Sequence, residues 1–245
     1  MKFLLTSAGI SNASIRAALV DLLGKPISEC SALCIPTAIY TFPGGPSMAY
    51  KFITGTATSP LSGLGWKSLG VLELSVLSSV KTEYWTAAVQ EADALLVWGG
   101  DPLFLRYWMR QSGLADLLAS PGPEKVYVGL SAGSMVVTSY IGEVYPTHEP
   151  PIADDIKTEV VTLMTPQGEP CEITFARAPG LGLVDFSLFP HLDNEKMLDT
   201  SLENVAKWAA RVPNRLYGID DQTALRVVDG QVEVISEGHW KLFDK

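Results

Sequence analysis

This chain is poor in the residues that build disulfide frameworks, metal centres and membrane spans. Its 245 residues include three cysteines and three histidines. Cys30, Cys34 and Cys171 are odd in number and lack the spacing of a zinc site, so buried free thiols are expected. No apolar run approaches the roughly 20 residues that a membrane helix requires. The opening Met1-Lys2-Phe3-Leu4-Leu5 has a faint look of a signal peptide, but its apolar stretch breaks at Gly9 and at Ser11-Asn12. It reads better as a first strand. Cations are scarce as well: 18 Lys and Arg stand against 27 Asp and Glu, a formal charge of −9. That balance argues against nucleic acid and against anionic membrane surfaces as partners. The expectation is a protein of the reducing cytoplasm.

What is present is the composition of a compact globular protein, 47% hydrophobic and 18% charged. A chain of this length can bury a substantial core. Strand-like and helix-like segments alternate through the first half. Residues 2–7, 31–36, 71–75 and 94–98 read as strands, and 14–23, 82–91 and 102–111 as helices, with Thr82 as an N-cap. Such alternation predicts an α/β fold with a mostly parallel sheet and helices on both faces. Ligand sites in such folds lie at the carboxyl ends of the strands.

The second half changes character. Residues 158–164 and 171–176 form an apparent hairpin around Pro166-Gln167-Gly168-Glu169. A strand over 183–188 leads to Phe189-Pro190-His191, and 194–211 reads as one long helix. The turn Asp229-Gly230, between residues 223–228 and 231–235, is a strong hairpin signal near the C-terminus. Two long loops are expected, at 54–65 and 145–155. No repeat or domain boundary emerges, so one domain over 1–245 is expected.

The most informative stretch is Gly129-Leu130-Ser131-Ala132-Gly133. Lys125-Val126-Tyr127-Val128 before it suits a buried strand, and Ser134-Met135-Val136-Val137 after it can continue as a helix. A serine at such a corner is pushed out of the sheet with its hydroxyl exposed, and flanking glycines permit the tight turn. The Ala132 N–H, at the helix start, would point to where an oxyanion forms. The plain alternative is a Gly-rich turn that carries a serine by chance. A second Gly-rich turn, Gly99-Gly100-Asp101, closes another strand at the same sheet edge.

A nucleophilic serine needs a base, usually a histidine oriented by a carboxylate. His191 emerges where an apolar segment gives way to Asp193-Asn194-Glu195, the right place for a base. His148 lies in a Pro-rich loop, and His239 beside Trp240 in a terminal strand. Asp220 and Asp221 end the short apolar run Tyr217-Gly218-Ile219, and either can be the acid.

These motifs, in this order, resemble the peptidase E/cyanophycinase family of serine peptidases over most of the chain. The resemblance implies a class I glutamine amidotransferase-like α/β fold, here with a C-terminal β-hairpin. It implies Ser131 as nucleophile, His191 as base and Gly100 and Ala132 as oxyanion donors, with Gly99 and Asp101 near the substrate. Asp221 falls where the family usually has glutamate, in a stretch similar to Gly-Ile-Asp-Glu-x-Thr-Ala-Leu. The implied activity is hydrolysis of short peptides, of dipeptidase or exopeptidase type, with no metal or organic cofactor, by a monomer or small homo-oligomer. Family members that recognise an N-terminal aspartate need cations near the site. Here Lys196 is the only one between His191 and Lys207, and Arg106 and Arg177 are the other candidates. Aspartyl specificity is not expected. The chain order Ser131, Asp221, His239 also fits an α/β-hydrolase esterase, and a binding protein without turnover would keep the same loops.

Overall fold

The computed structural model describes residues 1–120, 122, 124–145, 155–165 and 167–244. Strand β1 (Lys2–Thr6) leads to helix α1 (Ala13–Leu23), β2 (Ser31–Ile35) to α2 (Gly45–Ile53), and β3 (Ser68–Val71) to α3 (Thr82–Glu91). After β4 (Ala94–Val97) come α4 (Pro102–Gln111) and α5 (Leu114–Ala119). β5 (Val126–Leu130) runs directly into the single-turn helix α6 (Ala132–Met135). The rest is mostly strand: β6 (Tyr140–Tyr145), β7 (Lys157–Met164), β8 (Pro170–Pro179) and β9 (Ser187–Phe189). Helix α7 (Leu202–Ala209) precedes β10 (Leu216–Ile219), β11 (Thr223–Val228), β12 (Gln231–Ser236) and β13 (Trp240–Phe243).

The main sheet has seven strands in the order β12-β11-β1-β5-β4-β2-β3. Its five strands from β1 to β3 are mutually parallel, and the β11–β12 hairpin adds antiparallel to β1. Asp229 and Gly230, at φ 50° and 76°, make the tight turn that this hairpin needs. Alternation along the central strands sorts their side chains onto two faces. Phe3, Leu5, Leu33, Ile35, Leu95, Val97 and Tyr127 pack with α3, α4 and α5. Leu4, Ala32, Cys34, Leu96, Val126 and Val128 pack with α1 and α2 on the other side. The expected doubly covered sheet is therefore present.

Two three-stranded sheets, β13-β10-β9 and β6-β8-β7, stand beside the main one. Phe175, Phe189, Val205, Trp208 and Leu216 join these sheets and α7 in a separate core. Trp208 meets the rings of Phe175 and Phe189 edge-on at 4.6 and 4.7 Å. This core fixes the segment that carries His191.

Several local expectations need correction. The expected strand over 71–75 ends at Val71, and Leu74–Ser79 is a 3₁₀ turn. Leu74 and Leu77 are its buried residues, and a spacing of three is a helical period, not the alternation of a strand. Thr82 lies inside α3, whose cap is Lys81 without a side-chain bond. The strand over 183–188 is confined to Ser187–Phe189, because Leu183 and Val184 donate instead to the Val137 carbonyl of the elbow region. The long helix over 194–211 is reduced to α7. Polar side chains compete for its first turns: Thr200 Oγ1 bonds the Asn194 carbonyl, Asp193 takes the Leu202 N–H, and Ser201 caps α7. Cys30 and Cys34 are buried free thiols as expected, whereas Cys171 is only half-buried. Most of the loop expected over 145–155, His148 included, lies outside the described residues.

A Cβ on Gly133 would strike the Val97 carbonyl of β4, where backbone faces backbone. Gly133→Ala is expected to lower stability by about 1–3 kcal/mol, the usual cost of overpacking. A urea titration checks this, and an unchanged midpoint would mean that the elbow and β4 are not held so closely.

Candidate active site

Parallel pairing of β1 with β5 places Thr6 opposite Leu130, so Ser7 and Ser131 are the first residues beyond two adjacent strand ends. Ser131 adopts φ 50° and ψ −113°, a conformation a non-glycine residue holds only when its surroundings enforce it. Thr6 supplies much of that enforcement. Its carbonyl accepts from the Ser131 N–H at 3.0 Å and from the Ser134 hydroxyl at 2.8 Å. Its own hydroxyl donates to the Gly129 carbonyl at 2.7 Å. Tyr127 reaches from the strand beneath and donates to the Gly133 carbonyl at 2.7 Å.

His191 and Asp221 arrive by a second parallel pair. β9 and β10 run side by side with Phe189 opposite Gly218, and each strand delivers its polar residue just past its end. His191 Nε2 lies 3.0 Å from Ser131 Oγ, and Nδ1 lies 2.6 Å from Asp221 Oδ1. Asp221 also accepts from the Ser7 hydroxyl at 2.8 Å and from Asn194 Nδ2 at 3.0 Å. The hydrogen bond from His191 holds the Asp221 carboxyl below its ordinary value, with the imidazole charge, Ser7 and Asn194 adding to it and partial burial opposing. Of the two candidate acids, the structure brings Asp221 to His191. Asp220 is buried and serves its own turn, accepting from Gln222 N–H, Thr223 Oγ1 and His239 N–H.

The expected oxyanion donors flank the elbow. Ala132 is the first residue of α6, so its N–H has no partner within the helix. Gly100 sits at φ 137°, and a Cβ there would run into the Ala38 carbonyl. Gly99 packs on the elbow itself, with its would-be Cβ 3.2 Å from Ser131 Cβ. Asp101 caps α4: its Oδ1 accepts from Leu103 N–H at 2.8 Å and Phe104 N–H at 2.9 Å.

Other sequence candidates lie elsewhere or are otherwise engaged. His239 is 57% exposed and bridges Asp220 and Asp193 at 3.1 and 3.0 Å, not Ser131 or Asp221. Arg106 is buried in an ion pair with Asp155, which Arg110 also reaches at 3.2 Å. Arg177 donates to the Arg211 carbonyl at 2.6 Å. Buried carboxyl groups interact with one another and with His191 instead. Burial pushes Glu143 well above the usual carboxylate range, and the charges of Asp199 and Asp101 push the same way. Burial raises Asp199 to about 6, while the His191 charge pulls it down. Among the described residues no cluster of three His, Cys, Asp or Glu could hold a metal ion.

Two residues of this network were missed in the sequence. Ser7 looked like the last residue of a strand, and Asn194 like the first of a helix. The available signal was position: Ser7 lies one residue, and Asn194 five residues, beyond a strand that ends at the site.

The fold and the elbow together set a serine, a histidine and an aspartate in hydrogen-bond contact at the edge of a mostly parallel, doubly covered sheet. The model of peptidase family S51 matches residues 3–235, and the chain belongs to that family. Membership indicates serine peptidase activity. No curated protein matches the chain. Among solved structures, a candidate peptidase E protein from Listeria monocytogenes EGD-e is similar with a TM-score of 0.59 at 16% identity, covering 97% of this chain and 98% of its own. A peptidase from an acI-B1 Actinobacterium has a TM-score of 0.55 at 17% identity, covering 100% of this chain and 87% of its own. At these identities the likeness is one of fold. No helix among the described residues is long and apolar enough to cross a membrane.

The raised Asp199 gives a stability prediction. Its folded form keeps a proton that the unfolded chain releases, so its ionisation destabilises the fold increasingly as pH rises from about 4 to about 6. Asp199→Asn removes that penalty. The variant's gain in urea midpoint over the parent is expected to be larger at pH 7 than at pH 4, and an equal gain at both would contradict the raised value.

Proposed function

We propose that this chain hydrolyses short peptides, releasing a residue from a dipeptide-like substrate, with Ser131 as nucleophile, His191 as general base and Asp221 as the orienting acid. The observation that carries the reading is the unbroken line from Ser131 Oγ to His191 Nε2 at 3.0 Å and from His191 Nδ1 to Asp221 Oδ1 at 2.6 Å. With the Nδ1 proton shared with Asp221, Nε2 is left as a lone pair facing the hydroxyl. Ser131 attacks the scissile carbonyl as His191 takes its proton, and the imidazolium then protonates the leaving amine. Water, activated by the same histidine, hydrolyses the acyl-enzyme. The N–H groups of Gly100 and Ala132 receive the oxyanion, and losing one such donor typically costs on the order of 10²–10³ in rate. Asp101, placed near the substrate by sequence motif, acts here through α4, whose N-terminus it caps.

The dipeptide-scale substrate rests on family membership and on the likeness to the proteins described as a peptidase E and a peptidase. Nothing in the geometry favours the esterase order, because His239 is engaged with Asp193 and Asp220. A binding protein without turnover is the remaining alternative, and a fluorophosphonate probe separates it. Labelling at Ser131 supports the peptidase, and an inert Ser131 supports the binding protein.

Ser131→Ala is expected to abolish hydrolysis while the thermal melt stays nearly unchanged. His191→Ala should cost about as much, since members of a catalytic unit are not additive. Asp221→Asn should lower kcat by orders of magnitude by favouring the wrong imidazole tautomer. Full activity in Ser131→Ala would end this reading.

Specificity follows from the charges. Arg106 is paired with Asp155, and Asp199, which interacts with His191, acts together with Asp101 on the buried Glu143. A substrate carboxylate would be desolvated without a counter-charge, which is costly. Kinetics on Asp-Leu against Ala-Leu and Met-Leu are expected to show no advantage for Asp-Leu. A large kcat/KM preference for it would mean that a cation reaches the pocket.

A further inference from the structure

The hydroxyl of Ser7 makes contacts that the three-residue scheme does not use. Ser7 is buried, one residue past β1, in the register position beside Ser131. Its Oγ donates to Asp221 Oδ1 at 2.8 Å and accepts the backbone N–H of His191 at 2.8 Å. It also lies 3.2 Å from His191 Nδ1. A hydroxyl has one proton, and here that proton goes to the carboxylate. Towards Nδ1, therefore, Oγ presents only lone pairs.

Two consequences follow for the imidazole. An unprotonated Nδ1 would face lone pairs on both Asp221 Oδ1 and Ser7 Oγ, so the tautomer with the proton on Nδ1 is favoured twice over. That tautomer leaves Nε2 free to accept from Ser131. The second consequence is conformational. His191 has φ 61°, a left-handed backbone that few non-glycine residues adopt. Its N–H would lack this partner without Ser7, so one oxygen holds both the main chain of the histidine and the carboxylate that orients its ring. Asn194 Nδ2 holds the other carboxylate oxygen at 3.0 Å, which leaves Asp221 little freedom to rotate away.

We propose that Ser7 is a positioning residue for hydrolysis, acting through His191 and Asp221 to fix the tautomer and orientation of the base. The proposal rests on the reading of Ser131, His191 and Asp221 as the catalytic residues, and its test separates the two. Ser7→Ala removes the oxygen, and Ser7→Cys keeps the shape but replaces the hydroxyl with a weakly bonding thiol. Titration with a fluorophosphonate counts competent Ser131 sites in each variant. Steady-state kinetics on the dipeptide that the parent cleaves best are then expressed per labelled site, and thermal melts report folding.

Both variants are expected to label fully but slowly and to lose about 10- to 100-fold in kcat per labelled site, the range for a hydrogen bond to a charged group. KM should stay within about twofold, because the lost interaction does not touch substrate. A purely structural serine would behave otherwise, lowering the melting temperature or the labelled fraction while sparing kcat per labelled site. That result would overturn the proposal. So would recovery of kcat in Ser7→Cys, which would assign the effect to volume. If the parent chain fails to label at Ser131, or Ser131→Ala keeps its activity, the catalytic reading itself fails and the role of Ser7 falls with it. Parental labelling with unchanged kcat in both Ser7 variants removes the Ser7 role alone.

Discussion

The carbonyl oxygen of Thr6 is the point on which the site depends. It accepts two hydrogen bonds from the elbow, one from the Ser131 N–H and one from the Ser134 hydroxyl. The elbow backbone is held in a conformation that costs on the order of 1–3 kcal/mol. The bonds to Thr6, the Tyr127 hydroxyl on Gly133 and the close seating of Gly133 against Val97 together keep it there. Because Thr6 belongs to β1, the strand next to β5, the same pairing that builds the sheet also aims the serine. Ser7 then follows in the chain and meets the histidine. Two consecutive residues, the last of β1 and the one after it, thus hold Ser131 and His191.

Electrostatics around this point run in one direction. Asp221, Asp199, Asp193 and Asp220 lie about the His191 segment, while burial holds Glu143 towards its neutral form. The nearer arginines are turned to structural partners. A field of that sign suits a reaction whose intermediate carries a positive imidazole, and it disfavours an anionic substrate side chain. Asp221 contributes most directly, since its hydrogen bond to the ring keeps it ionised.

Much of this was legible in the sequence, for identifiable reasons. β4 and β5 are short, continuously apolar and bounded by Gly-rich turns, so the strands and the two turns at their ends could be placed. α4 was bounded correctly because Asp101-Pro102 is a strong start signal: the aspartate caps and the proline suits the first turn. Pairing His191 with Ser131 followed from position past a strand end and from the family resemblance. The illegible parts were those where side chains compete with local pattern. The polar residues between His191 and α7 look like a helix start in one dimension, yet Asn194 is drawn to Asp221 and Thr200 folds back on the Asn194 carbonyl. The choice between Asp220 and Asp221 was likewise closed to composition. It depends on which of two adjacent side chains faces β11 and which faces His191, and only the packed strands decide that.

The order in which these pieces leave the ribosome differs from the order in which they are needed. Synthesis is vectorial, and earlier parts of a chain can fold before later parts exist. β1, β4, β5 and the elbow are made first and share one parallel sheet. The strand that delivers Asp221 comes nearly ninety residues after Ser131, and β13, which pairs with that strand, comes later still. His239, one residue before β13, ties Asp193 of the histidine loop to Asp220 beside Asp221. A nascent chain therefore carries Ser131 long before the strand that brings Asp221 exists. On the proposed roles, hydrolytic competence waits until β10 has been made and Asp221 can meet His191.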